Sequence, residues 1–287
     1  MNQMKLNVPE LESLSLKIRQ DIIEMLVLAG SGHSAGPLGT ADIFATLFFN
    51  VMNVDPSSPK DPMRDRFVLS CGHLCPVFYA TLAHRGFIEH SELKGLRKYG
   101  TRLPGHPHNL MTPGVETSSG PLGQGLSQAI GMAMNARIAG DRYWVWTLLS
   151  DGEHDEGQTW EAIMFAGKNK LSNLTAIVDR NNIQIDGFTE NVMPLEPLKA
   201  KYEAFNWHVL EIDGHNHQEI IDACHQAQAI YEKPTVIIAH TIPGKGVEFM
   251  ENDFKWHGIP PKDQKEADLA LKELRSLGGK IKNHDLD

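Results

Sequence analysis

Apolar residues recur at Leu11, Leu14, Ile18, Ile22, Met25 and Leu26, a three-and-four spacing that predicts an amphipathic helix from Glu10 to Leu28. Gly30 and the segment SGHSAGPLG read as its stop and the loop that follows. A second helix is predicted over Ala41–Met52, and the proline-rich stretch Asp55–Pro62 as a loop. The period then changes. Arg66–Ser70 reads as a short buried strand with a helix beginning near Leu74. Four further near-continuous apolar runs follow, at Tyr143–Leu149, Leu174–Asp179, His208–Ile212 and Thr235–His240. Helical stretches at Thr159–Lys170, Leu198–Phe205 and His217–Tyr231 alternate with them. Strands that lack polar alternation and are separated by helices predict an α/β fold, a parallel sheet with helices on both faces. Between Thr101 and Thr117 prolines, glycines and histidines crowd into an irregular loop, and the small residues from Gly123 onward suit a helix packed closely on the sheet. A charged amphipathic pattern over Asp263–Leu277 predicts a last helix. The expected division is therefore one domain over residues 1–262 and a helical tail over 263–287.

Composition narrows the class. With 287 residues, 41% hydrophobic and 22% charged, the chain can bury a sizeable core. A formal charge of −9 with no basic stripe argues against a nucleic-acid partner, though not against a phosphorylated small molecule. Cys71, Cys75 and Cys224 are too few for a disulfide framework, and the first twenty residues hold no apolar signal core. No run approaches a membrane span, so no membrane partner and a cytoplasmic location are expected.

The chemistry concentrates in Leu148–Gly187. Asp151-Gly152 follows one predicted strand and Asn181-Asn182 follows the next, with Asp151 and Asn181 separated by 30 residues in sequence. In an open parallel sheet, ligands bind outside the carboxyl ends of the strands. A carboxylate oxygen, an amide oxygen and a nearby backbone carbonyl form part of a hard oxygen shell suited to Mg²⁺ or Ca²⁺, which phosphates and water complete. Gly152 leaves room for a diphosphate. Either pair alone reads as an ordinary turn. Their placement around a single βαβ unit favours the metal–phosphate reading. Other signals carry less. Cys71 and Cys75 have the wrong spacing for a structural zinc site and read as small core residues. Glu153, Asp155 and Glu156 read mostly as surface and helix-start charge. GPLGQG lacks the order of a dinucleotide loop and no strand precedes it. His84, His90, His108, His154 and His284 are assigned to surface or structural positions, and His208, His215, His217 and His240 receive no role.

The Asp/Asn arrangement resembles the thiamine-diphosphate-binding motif, Gly-Asp-Gly followed after about thirty residues by Asn, with Ser150 in place of the first glycine. The likeness extends from about residue 10 to 260 and points to the N-terminal half of transketolase. It is carried in order by SGHSAGPLG, LSCGHLCPVFYA, RLPGHPH, SSGPLGQGLSQAIGMA, SDGEHDEGQTWEA, VDRNNIQIDG and PGKGVEFMENDFKWHG. The resemblance implies that Asp151, Asn181 and the carbonyl of Ile183 bind Mg²⁺ (or Ca²⁺ or Mn²⁺ in its place), bridging to the diphosphate of thiamine diphosphate. It assigns His73 and Gly152 to the diphosphate, Gly120-Pro121-Leu122 to the loop lining the cofactor, and Ile185 to the thiazolium ring. His257 is placed beside the diphosphate and the donor sugar, His33 and His106 against the sugar hydroxyls. Glu156 falls in a network that joins two active sites.

The implied reaction is transfer of a two-carbon ketol unit from a ketose to an aldose in carbohydrate metabolism, such as a pentose phosphate pathway. The cofactor is the electron sink, while protein groups orient it and move protons. Nothing in the sequence matches the pyrimidine-binding half of the family, which carries the glutamate that activates the cofactor. The expectation is a split enzyme. This chain is its N-terminal subunit, and its partner is a C-terminal transketolase subunit in a heterotetramer of two plus two. Three alternatives stay open: the α subunit of a 2-oxo acid dehydrogenase, a deoxyxylulose-phosphate synthase, or a non-catalytic subunit of the same fold. The donor also stays open between a common pentose phosphate and a sulfonated or branched sugar.

Overall fold

The computed structural model describes residues 5–276. Its first element is α1 (Val8–Ala29), opened by a capping box in which Asn7 accepts from the Glu10 amide and Glu10 from the Asn7 amide, and closed by Gly30 at φ 63°. The next segment corrects the sequence reading. Residues expected as loop form the short helix α2 (Ala35–Gly39), and the single helix expected over 41–52 divides into α3 (Ala41–Thr46) and a π turn, Leu47–Val51. Gly39 permits a close backbone approach here, since an added Cβ would stand 2.9 Å from the Ile242 carbonyl oxygen.

Five strands make one parallel sheet: β1 (Arg66–Leu69), β2 (Val145–Ser150), β3 (Leu174–Arg180), β6 (His208–Asp213) and β7 (Thr235–His240), in the order β1-β2-β3-β7-β6. Between β3 and β6 lies a two-residue-per-strand hairpin missed by the sequence reading, β4 (Ile183–Gln184) and β5 (Gly187–Phe188). The predicted strands are all present, with ends shifted by one or two residues. After β3 the chain crosses to the edge strand β6 and returns as β7 beside β3, so the strand order reverses there.

The period-two alternation of the strands sorts their side chains into two cores. Phe67, Leu69, Trp146, Leu148, Ile177 and Ile237 face the larger one, shared with α1, α3 and α4 (Cys75–Arg85). Val68, Val145, Leu149, Ala176, Val178 and Val236 face the other, built on α5 (Gly125–Ala139), α6 (Gly157–Lys168) and residues of α8 (Leu198–Ala204). A short helix, α7 (Thr189–Val192), follows the hairpin, α9 (His217–Ala229) joins β6 to β7, and α10 (Gln264–Ser276) packs on α1 through Ala267, Ala270, Leu271 and Leu274. Residues 277–287, including His284 and the last predicted helical position, lie outside the described residues. Helices thus cover both faces, and the carboxyl ends of β1, β2 and β3 open on one side.

Candidate functional site

Asp151 directly follows β2, and Asn181 directly follows β3, whose registers align Ser150 with Asp179. That pairing converts 30 residues of separation into direct adjacency. The Asn182 amide donates to Asp151 Oδ2 at 2.8 Å, and the Gly152 amide to Oδ1 at 2.7 Å. Asn181 is held by both ends of its amide: Nδ2 donates to Asp179 Oδ2 at 2.7 Å and Oδ1 accepts from the Ile183 amide at 3.0 Å. Because the Ile183 backbone N–H can only donate, it must face Oδ1, and the amide has one orientation.

Two residues of this layer escaped the sequence reading. Asp179 is buried, accepts from Thr241 Oγ1 as well as Asn181, and is pushed up to about 7 by burial and then by the Asp151 charge. Arg180 is buried too, and its guanidinium reaches Asp151 at 3.1 Å, Glu190 at 2.7 Å and Glu196 at 2.9 Å. The signal available in sequence was a charged pair, Asp179-Arg180, ending a wholly apolar strand. The acidic cluster also needs correction. Glu153, expected at the surface, is completely buried beneath the site. Ser70 and the Gly123 amide face its carboxyl without closing well-aligned hydrogen bonds, and burial pushes it up to about 8. The 3₁₀ turn Gly152–Asp155 folds back on Asp151, which carries Glu153 inward while Asp155 and Glu156 stay exposed.

A cleft of about 280 Å³ opens over these groups. Its walls bring together His33, His73, His106, His257, Gly120, Leu122, Asp151, Gly152, Asn181, Ile183 and Ile185 from every segment singled out in the sequence. Pro121 and Glu156 are exposed and lie outside its lining; Glu156 packs instead against Gly123. Three imidazoles form a triangle, with ring centroids 4.8 Å apart for His33–His73 and 5.4 Å for both His33–His257 and His73–His257. Gly72 allows the strand end to meet the loop carrying Gly120, since a Cβ there would stand 3.0 Å from the Gly120 amide. The segment carrying His257 is tied down by Ser34 Oγ, which donates to the Ile259 carbonyl at 2.8 Å.

Burial controls the electrostatics. His33 is lowered to about 4 by desolvation, then by His257, His106 and Arg97. His73 is driven well below the usual imidazole range by the same burial and its neighbours, and His257 is lowered by burial. The more exposed His106 is lowered by partial burial and then by the Arg97 guanidinium. At neutral pH the cluster is uncharged, so each ring offers one acceptor and one donor nitrogen. His257 Nδ1 is buried with no hydrogen-bond partner. Asp151 shows the opposite shift: burial pushes it up to about 6 although Arg180 and two backbone amides pull it down.

The donor set fits a divalent cation with a diphosphate. A carboxylate that burial holds near pH 6 despite an arginine partner is one that a second cation stabilises, and the neighbouring amide and carbonyl oxygens are hard donors. Cys71 and Cys75 are buried, unpaired thiols raised by burial, which makes them core residues rather than metal ligands. No helix among the described residues is long and apolar enough to cross a membrane.

Comparison with known proteins identifies the family. Residues 13–276 match the family model described as transketolase, thiamine diphosphate binding domain. A 6-deoxy-6-sulfo-D-fructose transketolase subunit from a Clostridium species is 44% identical over 242 residues, which cover 84% of this chain and 88% of that one. An apulose-4-phosphate transketolase subunit from Phocaeicola vulgatus is 41% identical over 270 residues, covering 94% and 95%. A crystal structure of a transketolase variant from Pichia stipitis superimposes with a TM-score of 0.87 at 33% identity, covering 93% of this chain and 40% of that one.

Proposed function

Because this chain belongs to the transketolase family, as its thiamine diphosphate-binding domain, we propose that it is the diphosphate-binding subunit of a two-chain transketolase. The single observation that carries the site assignment is the convergence of Asp151, Asn181 and four uncharged histidines on one cleft at the carboxyl ends of β1, β2 and β3. The two-chain reading is supported by relatives named as subunits that this chain matches over 88% and 95% of their length. A C-terminal subunit carrying the pyrimidine-binding half completes the site, in a heterotetramer of two chains of each kind.

Asp151, Asn181 and the carbonyl of Ile183 hold Mg²⁺ in this reading, with Asp179 fixing the Asn181 amide and Arg180 limiting the charge on Asp151. His73 and Gly152 face the diphosphate, Gly120 and Leu122 line the cofactor, and the exposed Ile185 gives the thiazolium ring an apolar face. Thiamine diphosphate bound there supplies the electron sink for breaking the C2–C3 bond of a ketose. His33 and His106 orient the sugar hydroxyls, to which each neutral ring offers one acceptor and one donor nitrogen. His257 would lie beside the diphosphate and the donor sugar. The donor is a ketose bearing a phosphate or sulfonate, as the names of the two subunit relatives support.

The test is to purify this chain with and without the presumed C-terminal chain, then assay ketol transfer from phosphorylated and sulfonated ketoses. Activity only when both chains are present is expected. Full activity from this chain alone overturns the two-chain reading, and turnover of pyruvate in place of ketoses overturns the transketolase assignment.

A further inference from the structure

The cleft leaves a second convergence of imidazoles unused. Asp21 sits in the middle of α1, His84 in the last turn of α4, and His90 at the start of the 3₁₀ segment His90–Gly95. His84 Nε2 lies 2.7 Å from Asp21 Oδ2, and His90 Nε2 lies 2.9 Å and 3.0 Å from Oδ1 and Oδ2. Both rings turn the same nitrogen toward one carboxylate, and the three donor atoms fall within 4.8 Å of one another. The rings meet edge to face, 5.4 Å apart at 69°, rather than stacking.

From these contacts we propose that Asp21, His84 and His90 form a binding site for a divalent transition-metal ion of the zinc class, separate from the oxygen-donor site in the cleft. Zinc bonds to imidazole nitrogen and carboxylate oxygen run about 2.0–2.2 Å, which sets tetrahedron edges at about 3.3 Å. The two Asp–His separations need to open by only about 0.3–0.6 Å, within the reach of small rotamer adjustments, and the two Nε2 atoms lie within 4.8 Å of one another. Ligation through Nε2 requires that nitrogen to present its lone pair to the ion. Two nitrogens and one carboxylate favour Zn²⁺ over Mg²⁺, which prefers oxygen donors and keeps its waters. His90, 59% exposed at its side chain, leaves the fourth corner to water.

The position gives the ion a purpose. The three ligands come from segments that also carry His33, His73 and His106: α1 leads through Gly30 to His33, His73 immediately precedes α4, and the 3₁₀ segment leads into the loop with His106. A bound ion braces those segments at a point outside the cleft lining.

The test uses the full chain already loaded with thiamine diphosphate and Mg²⁺, so that the oxygen site is filled. Titration with Zn²⁺ against a chromophoric chelator is expected to show one site per chain, weakened by about 100-fold or more in His90→Ala and in His84→Ala. Co²⁺ is expected to give the visible absorption of a four-coordinate centre in the wild type and to lose it in His90→Ala. The exposure of His90 keeps that variant folded, and equal melting temperatures without metal check this. Zn²⁺ affinity that is equal in wild type and His90→Ala, or no Zn²⁺ bound at all, overturns the proposal without touching the cofactor site.

Discussion

The residue that decides the most is Asp151. It is buried, it ends β2, and its carboxylate gathers Arg180, Thr189 and two backbone amides. Replacing it with Asn keeps the shape and removes the charge. Asp151→Asn is expected to weaken Mg²⁺-dependent thiamine diphosphate binding by at least about 100-fold, measured by calorimetry with the partner chain present, while Arg180 retains Glu190 and Glu196. Unchanged affinity would remove this residue from the metal site. The histidines make a second claim at this scale. His33 is lowered to about 4, so its protonation followed by NMR should show a midpoint near pH 4, not near the ~6.5 of a free imidazole. The sign for stability follows. Between those values the unfolded chain binds the extra proton, so this group lowers stability as pH falls from about 6.5 toward 4. A midpoint near 6.5 would contradict the uncharged cluster. Asp151 and Asn181 were legible from turn residues after apolar runs. Arg180, Asp179 and buried Glu153 were not, because charge next to a strand end reads as surface until the neighbouring strands cover it.

At the scale of elements, a buried polar network ties five segments together: α1, α2, α3, the loop before α9 and the segment after β7. Arg19 of α1 pairs both guanidinium nitrogens with Asp42 of α3, at 3.0 and 2.6 Å, and donates through Nε to the Leu38 carbonyl. His215 bonds Asp42 at 2.8 Å through Nδ1, and its Nε2 accepts from the Ile242 amide. Burial alone would raise Asp42, but Arg19 and His215 hold it well below the usual carboxylate range. Arg19→Met leaves that carboxylate without its main partner in the core. The expected cost is about 3–5 kcal/mol, seen as a lower denaturation midpoint. A loss under about 1 kcal/mol would mean that Asp42 finds water or another donor. The sequence placed these helices by period, but the split of the second helix at the π turn depended on packing that no local pattern encodes.

At the scale of the whole molecule, a five-stranded parallel sheet with helices on both faces brings distant loops to one edge, and the assay with the C-terminal chain tests the function that this arrangement serves. The sequence by itself determined the α/β class, the order of strands and helices, the oxygen-donor pair and the family likeness. These depend on local hydrophobic period and on short motifs. Only the tertiary structure decided that His33, His73 and His257 touch, that burial leaves them uncharged, and that Glu153 is inside. Those properties depend on distance and on exclusion of water, which arise when segments far apart in sequence close over one another.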